Sequence, residues 1–480
     1  MSNLSELLPT GGGQNAVDFV ATGNLASGQA VVLKTDGTVE AVSEVTEGGG
    51  AESVFESATT TYNSAAYDST NNKVVIGYRD AGNSSYGTAV VGTVSGTTIS
   101  FGTPVVFETG TVSYNSATYD VANGKVVIAY MDASNSNYGT AVVGTVSGTS
   151  ISFGTAVVFE SATSTFVSAT FDSTNNKVVI GYADGGNGYL GTSVVGTVSG
   201  TSISFGTAVV FESANITYCS ATYDSTNNKI VIGYQDGGNV DSSTAIVGTV
   251  SGTSISFGTA VSIQTDASYI TTIFDSTNNK IVISYRNNAN SNYGTSAVGT
   301  VSGTSISFGT PVVFQSSYCI YISSVYNPTN NKVVIAYRNV GSSNYGTAIV
   351  GTVSGTSISF GTAVVFNAAE SSYNSAIYDS TNNKVVIAYQ DGGNSLYGTA
   401  VVFTFGSSNN TDFIGITAEA ISSAATGPVN VYGGINAVQT GLTIASDYYV
   451  QADGSLSTTT STVKAGQAVS ATTINMKDLT

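Results

Sequence analysis

One anchor recurs along this chain ahead of an Asn-rich turn, at Asp68, Asp120, Asp172, Asp224, Asp275, Asn327 and Asp379. The spacing is 52 residues at every step but one, which is 51. Seven units with a period near 50 residues, each able to hold about four short strands, are the sequence signature of a β-propeller. A nonapeptide underlines the repetition. "SGTSISFGT" begins at Ser147 and returns at Ser199, Ser251, Ser302 and Ser354, with the variant "SGTTISFGT" at Ser95.

One unit reads as four strands: A, "NSATYD" (115–120); B, "KVVIAY" (125–130); C, "GTAVVGTV" (139–146); and D, "SISFGTAVVF" (150–159). "DSTNNK"-type turns separate A from B and "SGT" separates C from D, where Asn and Gly take the positive φ of tight hairpins. The seventh unit has A, B and C but leaves the pattern at "GSSNNTDF". Its missing D strand is expected from the other end of the chain, where "ESVFES" (52–57) matches "VVFES" (157–161). Residues around 51–57 should therefore pair with 397–405 and close the ring. A solenoid would instead need capping repeats, and closure removes the edges that an open array would expose. The unit is kelch-like in length and in Gly-rich loops such as "DGGN" (184–187), but the chain has no Trp, so kelch is an analogy only.

Composition agrees with an all-β chain: 55 Gly, 28 Tyr and only 9% charged residues among 480. A net charge of −17 with 13 scattered Lys and Arg argues against nucleic-acid binding. His is absent, which removes Ser-His and Cys-His catalysis and His-based metal sites. Cys219 and Cys319 occupy non-equivalent repeat positions and read as two free buried thiols rather than a disulfide or metal pair. The start, "MSNLSELLPTGGG", lacks the basic and apolar regions of a secretory signal, and no stretch is long and apolar enough to span a bilayer. No cofactor is expected.

Strand alternation puts the short A–B and C–D turns on one face and the varied B–C and D–A connections on the other. Both ends of the propeller should leave from the short-turn face. The division expected is an N-terminal arm and partial β-domain (1–50), the propeller (51–408), and the rest of the β-domain (409–480). Asp-Gly turns at Asp36-Gly37 and Asp453-Gly454 mark a hairpin in each flank. The flanking frame "AVDFVATGNLASGQAVVLKTDGTVEAV", "DFIGITAEAISSAATGPVNVYGGI" and "GLTIASDYYVQADGSLSTT…AGQAVSATTINM" resembles the small β-domain of tailed-phage virion structural proteins, of the tail-fibre and capsid-decoration type. That resemblance covers roughly a quarter of the chain. It implies assembly with other virion proteins, a homo-oligomer, adhesion to a host surface, and location on a virion released by lysis.

An aromatic stands six residues before each anchor: Tyr62, Tyr114, Phe166, Tyr218, Tyr269, Tyr321 and Tyr373. These should ring the channel mouth on the variable face, either as packing between blades or as a stacking platform for sugar rings, with Arg79, Arg286 and Arg338 nearby. The anchor carboxylates read as turn formers. Asp80, Asp132, Asp184, Asp236 and Asp391 close strand B without the ligand spacing of a calcium loop. The expectation is a non-enzymatic virion protein whose propeller adheres to a host glycan. A ligand-free decoration or cement protein and a carbohydrate-active propeller enzyme are the alternatives.

Overall fold

The computed structural model describes residues 15–45 and 47–476; the start "MSNLSELLPTGGG", read above as lacking a secretory signal, lies outside them. The chain divides into two compact units, residues 48–404 and a second unit made from both flanks. The larger is a seven-bladed β-propeller, all-β apart from single 3₁₀ turns. In the second blade, strand B is Lys125–Asp132 and strand C is Tyr138–Ser147, paired antiparallel. Strand B is apolar on both faces: Val126, Val127, Ile128, Ala129 and Tyr130 are all fully buried. Continuous burial is what a sheet sandwiched between two others requires.

Strand D differs from the expectation. It is broken after Phe153, and its second part is no separate strand ending in a loop. Val157–Asp172 is one extended segment of 16 residues. It pairs first with strand C of its own blade (Val157↔Ala141), crosses to the channel, and then pairs with strand B of the next blade (Ala169↔Ile180). The D–A connection is thus strand, not loop. The exception follows the fourth blade, where Val261–Gln264 and Ala267–Asp275 are separate and Asp266 has a φ of +53°.

The recurrent nonapeptide earns its repetition at the joints between blades. A Cβ on Gly154, from "FGT", would stand 1.9 Å from the carbonyl oxygen of Thr201, from the next blade's "SGT". Gly102, Gly206, Gly258 and Gly309 meet Thr149, Thr253, Thr304 and Thr356 in the same way. Each copy supplies both halves of a contact, so one phrase written repeatedly fits itself. Where the copies run out, Gly361 has no such neighbour. At the start of the ring, Gly50 stands against Thr97 instead.

The last blade takes its outer strand from the N-terminal side. Ser53, Val54, Glu56 and Thr59 pair with Ala400, Thr399, Gly398 and Tyr397, and Gly48 and Gly49 pair with Thr404 and Phe403. The channel side is held by a second closed circuit. The outward N–H of Ala117 donates to Ser64 Oγ, Ala169 to Ser116, Ala221 to Ser168 and Thr272 to Ser220, each at 2.9 Å. Ser324 to Thr271 (3.4 Å), Ala376 to Ser323 (3.0 Å) and Ala65 to Ser375 (2.9 Å) complete it. These innermost-edge donors have no further strand to bond, and each hydroxyl satisfies one of them from the preceding blade.

The anchors are turn formers. Asp172 Oδ1 accepts from the N–H groups of Thr174 and Asn175, while Oδ2 accepts from Asn175 Nδ2. Asn176 and Gly148 take the positive φ of the A–B and C–D turns, at 53° and 61°.

The second unit contains two five-stranded sheets. One joins Ala16–Val20, Ala30–Leu33 and Val39–Ala41 to Phe413–Thr417 and Thr426–Val431; the other is built from residues 435–475. Val32, Val42, Phe413, Tyr448, Val450 and Ile474 share one core, so both flanks build a single β-domain. Both Asp-Gly hairpins form, with Gly37 and Gly454 at φ 83° and 82°.

Candidate functional site

The seven aromatics form a closed ring. Successive centroids from Tyr62 through Tyr114, Phe166, Tyr218, Tyr269, Tyr321 and Tyr373 back to Tyr62 lie 4.9–5.6 Å apart. Seven such steps set the centroids on a circle of about 6 Å radius around the propeller axis. Most neighbouring planes are inclined by 46–52°, close to the one-seventh turn, about 51°, that relates adjacent blades. Each ring therefore packs on two neighbours and also lines a lumen of about 370 Å³. That volume suits a small ligand.

A bulge aims each side chain. Between Ser113 and Ser116 strand A gains one residue over strand B, and Tyr114 sits there with a φ of +55°. All seven aromatics share this left-handed conformation, with φ from 49° to 55°. A bulge of this kind ordinarily takes Gly, and a larger residue costs about 1–2 kcal/mol. Seven-fold retention of bulky side chains in a strained position marks the ring as something the fold is built to hold.

All seven are half-buried. Burial, reinforced by the neighbouring rings, raises the phenols of Tyr114, Tyr321 and Tyr373, and pushes Tyr218 up to about 12. At neutral pH these groups stay protonated and able to donate. The residue that follows each aromatic also borders the lumen, but Val167, Ile270 and Ile322 are buried in the cores between blades, so the aromatics supply most of its accessible lining.

The three arginines part company. The Arg286 guanidinium lies over Tyr269, 4.9 Å from the centroid, and over Tyr318 at 5.2 Å, within cation–π range. Arg338 forms an ion pair with Glu370 at 2.6 Å and hydrogen-bonds Ser372 and Asn344. Arg79 partly offsets the upward push of burial and of Tyr62 on the Tyr373 phenol. Arg286 thus touches the ring, whereas Arg338 is committed to a neighbouring carboxylate.

The carboxylates that close strand B are used locally. Asp80 and Asp132 cap 3₁₀ turns, accepting from the N–H groups of Gly82 and Asn83 and of Ser134 and Asn135. Among the described residues no three His, Cys, Asp or Glu side chains gather as a metal site. Both thiols are free, and burial pushes each up to about 12.

Sequence reasoning passed over a second aromatic circle, one residue before each anchor, which lines the opposite mouth. That mouth encloses about 560 Å³ and includes Tyr119, Phe171, Tyr223, Phe274, Tyr326 and Tyr378. Its hydroxyls serve the joints between blades: Tyr119 donates to Thr70, Tyr67 to Thr381, and Tyr378 shares a hydrogen bond with Thr329. The signal was present in the strict recurrence of an aromatic before each anchor.

No protein-family model matches the chain, and no curated protein matches it. Among solved structures, 276 chains match. The BP39L lectin of Burkholderia pseudomallei is similar with a TM-score of 0.54 at 9% identity, over 74% of this chain and 98% of that one. Sqt1 of Chaetomium thermophilum gives 0.46 at 10% identity, over 75% and 100%. At such identities the first likeness speaks for the β-propeller fold, and the second is too distant to add to it.

Proposed function

We propose that this protein is a non-catalytic binding protein whose propeller takes up a carbohydrate at the aromatic mouth of its axial channel. The closed ring of seven half-buried aromatics around a lumen of about 370 Å³ carries the reading. Sugar rings present C–H faces that stack on aromatic faces and hydroxyls that hydrogen-bond at their edges. Fold likeness to a protein named a lectin agrees with this reading. A binding role without catalysis is supported by the commitment of the anchor and strand-B carboxylates to turns.

The finer setting is a phage virion, with the two-ended β-domain attaching the protein to other virion proteins and the propeller adhering to a host glycan. This rests on the resemblance of the flanking sequence, as does the expectation of a homo-oligomer. The alternative of decoration without a ligand is favoured by one observation: each aromatic already packs on two neighbours. The test is a glycan array and intact candidate host cells, with the wild type beside a Tyr114→Ala, Tyr218→Ala, Tyr321→Ala variant. Adhesion predicts binding that the variant loses while its melting temperature stays within a few degrees of wild type. A folded wild type that binds no glycan and no cell supports decoration.

A further inference from the structure

All three arginines of the chain stand at one position of the repeat. Arg79, Arg286 and Arg338 lie one residue before the end of strand B and pair with Thr61, Ser268 and Ile320, the residues that precede Tyr62, Tyr269 and Tyr321 of the ring. The lysines of the propeller instead open strand B at its other end, where Lys73 and Lys125 donate to Thr93 and Thr145. Positive side-chain charge beside the aromatic ring is therefore confined to the arginines. The fold does not demand it there, because the same position holds Met131, Ala183, Gln235 and Gln390 in the other four blades.

The three differ in what faces them. The residue 32 positions further on is Thr111 for Arg79, Tyr318 for Arg286 and Glu370 for Arg338. These are equivalent, pairing with Tyr86, Tyr293 and Tyr345 of strand C. Glu370 neutralises Arg338, but among the described residues neither other arginine has an ion pair. Arg286 donates from Nε to Asn288 Oδ1 at 2.7 Å and from Nη1 to the Tyr318 hydroxyl at 3.1 Å, which leaves its Nη2 without a partner among the described residues. The nearby Asp266 carboxylate is bound to the Asn288 amide at 2.9 Å and not to the guanidinium. Arg79 makes no hydrogen bond among the described residues; only its Nε is buried, so its Nη end is open to solvent. A partly buried guanidinium with no anion beside it is costly.

We infer that the aromatic mouth takes an acidic glycan, and that Arg79 and Arg286 receive its carboxylates. The protein itself shows the fit: at the equivalent position Glu370 brings a carboxylate to within 2.6 Å of Arg338 Nη1. A ligand supplies to the other two guanidinium forks what Glu370 supplies to the third. Thr111 is too short to reach as Glu370 does. Beside Arg286 the Tyr318 ring, 39% exposed, offers a surface on which the C–H side of an acidic sugar can stack. The chain's charge of −17 repels an anion at a distance, but at physiological salt that repulsion is screened beyond about 8 Å, and contact with two uncompensated cations decides. This deepens the proposed function and rests on it.

The experiment is calorimetric titration of the full chain with two matched pairs of probes: trigalacturonate and its methyl ester, and sialyllactose and its methyl ester. The readout is the affinity for acid over ester, since general damage to the site weakens both members of a pair alike. Three proteins are compared: wild type, Arg79→Gln/Arg286→Gln, and Glu370→Gln. Gln is what the fourth and seventh blades carry at the arginine position, as Gln235 and Gln390. Expected in the wild type is a preference for the acid of about tenfold or more in at least one pair, and the pair that shows it names uronate or sialate as the source. The preference should fall below about threefold in the double variant and rise about threefold in Glu370→Gln, where Arg338 is released. Equal binding of acid and ester by wild type overturns the acidic ligand and leaves the carbohydrate reading standing. Failure of all four probes also overturns the inference, and the glycan array then decides whether the carbohydrate reading falls with it. A preference kept in the double variant overturns the role of the two arginines, and an unchanged preference in Glu370→Gln overturns the equivalence of the three positions.

Discussion

Strand C opens with "YGT" in most blades, and the Gly is forced by one ring. A Cβ on Gly139 would lie 2.4 Å from Phe159 Cε2 and 2.6 Å from Cζ, closer than carbon atoms approach. Phe159 cannot yield freely, because it packs at 5.2 Å on Tyr182 and 5.7 Å on Phe205. Gly139→Ser should therefore cost about 1–3 kcal/mol through overpacking. Phe159→Ile alone should cost a similar amount, about 1–3 kcal/mol, through lost ring contacts and the space left behind. The protein contains its own version of the double exchange. In the fourth blade Ser243 stands where the others have Gly and pairs with Gln264, and Ile263 replaces the Phe. The double variant should accordingly be about 1–2 kcal/mol more stable than the two single costs added together. Urea unfolding followed by far-UV circular dichroism, with a common slope for all four proteins, reads the coupling. Additivity to within about 0.5 kcal/mol would refute the claim that the Gly and the Phe are chosen for one another.

The channel circuit makes a local prediction. Ser168→Ala should cost about 1 kcal/mol and speed hydrogen exchange at the Ala221 amide about fivefold. Ser168→Thr should do neither, since Thr271 fills that role in the fifth blade; unchanged exchange in Ser168→Ala would show that the hydroxyl does not hold that N–H. Acid should stabilise the propeller. Burial first, and then Asp80 and Asp132, raise the carboxyls of Glu56 and Glu108, against the pull of the Tyr78 and Tyr130 hydroxyls. The folded protein thus holds protons that the unfolded chain releases, so this contribution is full below about pH 4.5 and fades as pH rises through the raised values. The melting temperature at pH 5 should exceed that at pH 7.5 at equal ionic strength, with a smaller difference in Glu108→Gln. A lower melting temperature at pH 5 would contradict the sign.

The repeat made the propeller readable because blade geometry writes itself seven times, and a period survives drift at single positions. The displaced closing strand was readable for the same reason: a missing member of a series is visible. Two features escaped. The continuous D–A segment escaped because Ser, Thr and Gly between strands look like loop vocabulary, and only the sheet pairing shows that they stay extended. The left-handed bulge at Tyr114 escaped because no local rule predicts a positive φ at an aromatic. Of the three arginines, the one that meets the ring could not be told from the others, because Glu370, which draws Arg338 away, lies 32 residues along the chain.

The strands that close the propeller have a mechanical consequence. The chain comes in at Gly48 and leaves at Thr404, and these two residues are direct antiparallel partners. Just outside them Glu44 and Val45 pair with Ser408 and Ser407, and Ala30–Leu33 pairs with Phe413–Thr417. Tension that drew the two flanks apart would load those pairs before it reached the rest of the last blade, and would peel them one by one like a zip. The flanks therefore work as a clasp: a pull on the propeller through both flanks together leaves the ring shut, and the ring gives way only after the clasp has opened.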